Sequence, residues 1–146
     1  MAIKTKQELK QMLTEKYIKQ AVDEVALIIE QEWKKLMQDL FYDTYSPEFY
    51  SRTFQMIDSI MKLEPVKTNN GYTIHIKMDE LTYHTPYEHY SINEVWNFTE
   101  MGFRGISGGQ PIVVGGHVYE NILDYVNNNL IKLFKSKLME LGLNVK

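Results

Sequence analysis

Apolar residues open the chain in a helical rhythm. Leu9, Met12, Leu13, Ile18, Val22, Val25, Ile28, Ile29, Trp33, Leu36, Met37 and Leu40 read as steps of three and four, which gather on one side of a helix. Lys, Glu and Gln fill the other side, and no Pro or Gly interrupts from Thr5 to about Phe41. The spacing predicts one long amphipathic helix over 5–41. Thr5 followed by Glu8 predicts a capping box at its start, each side chain satisfying a backbone N–H of the other. Such a helix is roughly 55 Å long at 1.5 Å per residue. That exceeds the width of a domain of this size, so part of the stripe is expected to be covered by another chain or by a long partner helix.

Phe54, Ile57, Ile60 and Met61 predict a second, short helix after the turn at Ser46-Pro47-Glu48, ended by Pro65. The rhythm then changes to two. Tyr72, Ile74, Ile76 and Met78 alternate with Thr73, His75, Lys77 and Asp79, which predicts a strand buried on one face. It follows the turn Thr68-Asn69-Asn70-Gly71. Its expected partner is either the stretch 61–66 before the turn or 81–83 after it. An aromatic and His-rich segment with Pro86 follows, in which Ser91 to Asn97 has the signals of a short capped helix. Six of the eight glycines lie between Gly102 and Gly116 around Pro111-Ile112-Val113-Val114. This stretch reads as a flexible loop whose apolar centre orders on contact with a partner. Ile122, Leu123, Val126, Leu130, Leu133, Phe134, Leu138 and Leu141 predict a closing helix over 119–141, with Gly142 as its cap.

The elements add up to one α+β domain over 1–146: a long N-terminal helix and a C-terminal helix packed on a small antiparallel sheet. The long helix takes 5–41, the short helix and sheet 47–83, the aromatic segment and glycine-rich loop 84–118, and the last helix 119–141. With 146 residues and 44% hydrophobic content, one core suffices. No Cys is present, which excludes disulfides and thiolate metal sites. The net charge of −3 argues against general affinity for nucleic acid. No apolar run reaches the roughly 18 residues of a membrane span, and MAIKTKQELK has no apolar core after its lysines, so neither membrane nor secretory signal is expected.

Charge is uneven along the chain. Asp79 to Glu100 holds five carboxylates and no Lys or Arg, whereas Leu130 to Lys146 holds Lys132, Lys135, Lys137 and Lys146 against Glu140 alone. Two solvated faces explain this; so does pairing of the acidic stretch with the basic helix of a neighbouring subunit. His75, His84 and His89 lie near Glu80 and Glu88, ligand chemistry for zinc or iron. Their spacing is not that of a helical metal pair, and surface or interface histidines account for them as well. No nucleophile elbow and no phosphate-binding glycine motif occurs, so no catalytic residue and no cofactor is expected. Arg52 lies among Tyr45, Phe49, Tyr50 and Phe54, where a guanidinium stacks or pairs bidentately, or stays solvated at a helix edge.

The run Tyr45-x-x-x-x-Tyr50-x-Arg52-Thr53-x-x-x-x-x-Ser59-Ile60, after a long helix and before a glycine turn and strand, resembles the tail-completion (minor tail component) family of tailed bacteriophages. The order of elements is similar over most of the chain. Phe54 stands where that family has Gly and Met56 where it has Leu, so the resemblance is to a divergent member. It implies a non-enzymatic virion protein, assembled in the host bacterial cytoplasm as a ring, commonly a hexamer. The ring would seal the tail and join it to the head connector, touching connector or stopper and tail-tube proteins while DNA passes without specific binding. Tyr50, Arg52 and Thr53 would then be interface residues, with Pro111, Ile112, Val113 and Val114 of the loop and Lys132, Lys135 and Lys137 of the last helix. The alternatives are a stopper or adaptor subunit of the same joint, or a small metal-dependent hydrolase built on His75, His84 and His89.

Overall fold

The computed structural model describes residues 5–44, 55–79, 100–104, 111–114 and 116–146. Helix α1 runs Lys6–Leu40, 35 residues, and begins as its sequence dictates. Thr5 Oγ1 accepts from the Glu8 N–H at 3.2 Å, and the Thr5 N–H donates to Glu8 Oε2 at 2.7 Å. A 3-10 turn, Tyr42–Thr44, follows, and helix α2 spans Gln55–Ser59. Strands β1 (Ile60–Lys62), β2 (Val66–Thr68), β3 (Gly71–Thr73) and β4 (Ile76–Met78) come next. Strands β5 (Gly102–Arg104) and β6 (Pro111–Val114) precede helix α3, Val118–Glu140.

The expected strand over 72–78 and its partner before the Asn-containing turn form one interrupted hairpin. β1 pairs antiparallel with β4 and β2 with β3, while the Leu63 N–H reaches the His75 carbonyl at 2.8 Å between them. Three residues, 63–65, stand opposite two, 74–75, so the first strand carries one extra residue. Pro65 lies in that bulge, where its missing N–H interrupts no ladder bond. The second strand keeps its alternation: Tyr72, Ile74, Ile76 and Met78 are partly buried, and Thr73, His75 and Lys77 are exposed.

Two expected elements are corrected. Ile60 and Met61 do not continue the short helix; α2 stops at Ser59, whose hydroxyl donates to the Met56 carbonyl at 2.7 Å. Ile60 instead pairs with Met78, and the Asp79 N–H donates to the Ser59 carbonyl at 2.7 Å. A β-branched residue beside a ready strand joins the strand. The glycine-rich stretch also carries two strands. Its ends, β5 and β6, pair antiparallel within the chain, with an irregular register at Arg104. The expected helix at 91–97 and the turn at 46–48 lie outside the described residues.

The two long helices lie antiparallel. The start of α3 meets the end of α1: a Cβ on Gly116 would lie 2.5 Å from the Leu40 carbonyl oxygen, so only glycine permits this approach. Trp33 and Tyr119 pack with ring centroids 6.4 Å apart. Near the other end of α3, Lys137 Nζ reaches Glu24 Oε2 at 3.7 Å. The helix closes on a Schellman motif: the Gly142 N–H donates to Met139 O and the Leu143 N–H to Leu138 O, both at 2.9 Å, with Gly142 at φ 86°.

The core gathers Val25, Ile29, Trp33, Met37, Phe41, Tyr42, Met56, Ile60, Val118 and Ile122. Along α1 and its C-cap runs a row of every fourth residue, Ala21-Val25-Ile29-Trp33-Met37-Phe41, all buried. Followed backwards, the row reaches Tyr17, Leu13 and Leu9. An α-helix turns about 100° per residue, so a row of fours drifts about 40° at each step. Leu9 ends about 160° away from Val25 and about 180° away from Ile18. The single continuous stripe expected over 5–41 is therefore two: between Leu13 and Ile18 the step is five, and the apolar face changes side. Leu9, Met12 and Leu13 are about half exposed, at 50%, 48% and 52%.

A buried row and a half-exposed patch on one helix respond differently to truncation. Met37→Ala is expected to cost about 2–5 kcal/mol, whereas Leu13→Ala stays within about 0.5 kcal/mol. Urea unfolding of the isolated protein followed by circular dichroism measures both.

Candidate functional site

Among the described residues, α1 is longer than any element that packs on it. Its 35 residues span about 52 Å and the 23 residues of α3 about 35 Å at 1.5 Å per residue. Because α3 begins beside Leu40 and reaches Glu24 only near its end, the first three or so turns of α1 extend beyond it. Among the described residues the companion of this arm is the β2–β3 hairpin. Lys67 Nζ pairs with Glu15 Oε2 at 2.8 Å, and Ile18, Thr14 and Gln11 share a shallow groove with Tyr72 and the Asn69-Asn70 turn. The pair holds the Glu15 carboxyl below its ordinary value, first through the Lys67 hydrogen bond and then through its charge.

At its base the hairpin is fixed more deeply. Lys62 Nζ meets Asp23 Oδ1 at 2.6 Å, and the Lys62 N–H donates to Glu30 Oε2 at 2.8 Å. Glu30 Oε1 also takes Lys34 Nζ at 2.7 Å. Burial pushes the Glu30 carboxyl up, but the Lys34 and Lys62 contacts together outweigh it and leave it below its ordinary value. The hairpin thus occupies one side of the arm. Leu9, Met12 and Leu13 occupy the opposite side, with the exposed Lys6 and Lys16 three residues before Leu9 and three after Leu13.

The first half of α3 has the opposite character. Residues 118–131 hold Glu120 and Asp124 and no Lys or Arg, and both carboxylates are exposed. Beside them lie Tyr119, Leu123 and Leu130, at steps of four and seven, and Ile131 on the side of Asp124, exposed by 46%, 42%, 43% and 71%. A third carboxylate joins them from another part of the chain. His117 occupies the N-cap in a left-handed conformation (φ 47°) without a side-chain cap, and Glu100 Oε1 supplies the acceptor instead, taking the Tyr119 N–H at 2.8 Å. Burial pushes the Glu100 carboxyl above its ordinary value, and the neighbouring Glu120 pushes the same way; the Tyr119 hydrogen bond and His117 offset part of this.

Of the residues singled out from the sequence, the structure places several apart from one another. Pro111, Ile112, Val113 and Val114 form β6, paired with β5 of the same chain. Lys132 and Lys135 are exposed on α3. Lys137 instead serves its own chain, bridging Glu140 at 2.8 Å and Glu24 at 3.7 Å, a tie between α3 and α1. Tyr50, Arg52 and Thr53 lie outside the described residues, as do His84, His89 and most of the acidic stretch 79–100. His75 is exposed at the junction between β3 and β4. Among the described residues no three His, Asp or Glu side chains gather as metal ligands, and no helix is long and apolar enough to cross a membrane. Sequence reasoning missed the arm patch because it assigned Leu9, Met12 and Leu13 to the core stripe. It also missed the acidic half of α3; the run 118–131 without a basic residue was its signal.

Residues 5–140 match the model of the YomN family. No curated protein and no solved structure matches the chain.

The cap at α3 generates a pH prediction. A carboxyl whose folded-state value is raised favours the folded protein when protonated. That contribution is present below the ordinary carboxylate value of 4.5 and is lost as pH rises through the raised one. Glu100→Gln keeps an oxygen for the Tyr119 N–H and removes the charge. Thermal unfolding from pH 4 to 8 should show a flatter profile for the variant than for the parent, with no loss of stability at pH 7. A variant as pH-dependent as the parent would assign the effect to another group.

Proposed function

The chain belongs to the YomN family, which is phage-derived, and from that premise we propose that it is a structural protein of a tailed-phage particle, a tail-completion subunit that joins the tail to the head connector. The observation that carries this reading is the α1 arm. An arm of about three turns holds Leu9, Met12 and Leu13 half exposed on the side away from its own hairpin, beyond the reach of its own α3. A subunit that acts alone gains nothing from such a surface, whereas a subunit of a closed ring needs one face that its neighbour covers. The resemblance of Tyr45 to Ser59 to the tail-completion family, with its order of long helix, small sheet and closing helix, supports the same role.

On this reading the work of the protein is assembly. The two antiparallel helices give a rigid body, and the paired hairpin brings polar groups to one flank of it. Ring closure, docking to the connector and contact with the tail tube use the surfaces left over. The ring is expected to be hexameric, to form in the host bacterial cytoplasm and to remain in the virion neck, with DNA passing through it unbound.

Electron microscopy of lysates from a phage that lacks this gene tests the role. Filled heads beside separate tails are expected, and over-long tails would add a role in length termination. Heads that have lost their DNA would move the protein to a stopper or adaptor position in the same joint. Normal infectious particles would overturn the structural reading.

A further inference from the structure

The arm of α1 and the first half of α3 are complementary surfaces on one chain, and they cannot meet within it. Tyr119 is held at Trp33 by ring packing, and Met12 lies 21 residues before Trp33 on the same helix. That is about 31 Å along a continuous helix at 1.5 Å per residue. We infer that the arm of one copy, through Leu9, Met12 and Leu13, docks on the Tyr119, Leu123 and Ile131 face of α3 in the next copy, its Lys6 and Lys16 meeting Glu120, Asp124 and Glu100. This names the contact behind the assembly proposed above and rests on that reading for its biological setting alone.

Charge selects the occupant. Residues 5–20 carry four Lys against Glu8 and Glu15, and both carboxylates are already engaged, Glu8 in the helix cap and Glu15 with Lys67. Two arms packed on each other would set Lys6 and Lys16 of one against the same lysines of its partner, which disfavours a symmetric arm pair. The α3 face offers the reverse: exposed apolar side chains beside Glu120 and Asp124, with no Lys or Arg from 118 to 131. Glu100 adds a carboxylate that its surroundings already disfavour as a charge, and an incoming ammonium relieves it. Lys132 falls on the far side of α3 from Leu123 by the 100° rule, and Lys135, one turn beyond Ile131, borders the face only at its far end, three turns past Asp124. The contact is heterologous, one surface of each copy on a different surface of the next, so it propagates until a ring closes.

The test uses the full chain, by sedimentation velocity and native mass spectrometry over a concentration series. The parent protein is expected to associate. L9D/L13D and, separately, E120K/D124K should each weaken association by about tenfold or more, the scale of a disrupted interface anchor. Both should retain the parent helix content, because the substituted side chains are exposed. Mixing the two variants is the decisive step. L9D/L13D keeps an intact α3 face and E120K/D124K an intact arm, so the mixture should form a one-to-one complex that grows no further. K6E/K16E combined with E120K/D124K in one chain should recover association that each pair alone loses. A parent protein that stays monomeric throughout, an oligomer indifferent to L9D/L13D, or variants that fail to complement would each overturn the contact. An oligomer indifferent to L9D/L13D leaves the virion role standing. Normal particles in the gene's absence would overturn that role and leave this contact standing.

Discussion

The structure depends on a mismatch between the repeat of a sequence and the turn of a helix. The apolar row of α1 advances by fours, while the helix repeats every 3.6 residues. The segment of that row from Ala21 to Phe41 stays buried because α3, the hairpin and α2 each cover part of its drift. Trp33 and Met37 sit at the centre of the shared core, and Gly116 lets α3 start flush against the end of α1. Beyond Ala21 the row has wound out of the core. The arm is therefore not surplus length; it is what remains once one helix of 23 residues has covered all of the other that it can reach.

The hairpin keeps the arm usable. An exposed helical extension with no tertiary support frays, since isolated helices of this length are marginal in water. Lys62 with Asp23 and Glu30, and Lys67 with Glu15, fasten the hairpin along one side of α1 from its middle towards its start. The capping box at Thr5 secures the end itself. The apolar side of the arm is thus presented on a supported helix, which lowers the entropy cost of any docking that uses it.

Features settled by neighbours within four residues were readable from the chain. The Thr5 box, the Gly142 motif, the alternation from Tyr72 to Met78 and both long helices are of this kind. Features settled by a distant partner were not. Ile60 and Met61 fit a helical pattern, yet β4 recruited them into a strand. Phe103 and Val113 read as loop residues until their backbones were seen to pair. Lys137 looked like part of an outward basic face, but Glu24, more than a hundred residues earlier, claims it. Leu9, Met12 and Leu13 have the composition of a core stripe, and only their angular position relative to Val25 shows that they are not one. The candidate site emerged from that angular correction together with a cap, Glu100 on Tyr119, that no local motif announces.

The extra residue at 63–65 has a consequence for which changes of length this chain tolerates. In an unbroken strand, positions five apart point to opposite faces. Lys62 and Lys67 are five apart, yet both reach α1, because the bulge turns the strand over once between them. The hairpin thus works by parity. Losing one residue between the two lysines would remove the bulge and leave them four apart in a regular ladder, with Lys67 still opposite Tyr72 and both on the helix side. Losing two would leave them three apart and turn one of them away from α1. The hairpin thus tolerates the loss of its one extra residue and not of a second, a limit carried by the count of residues and by none of their identities.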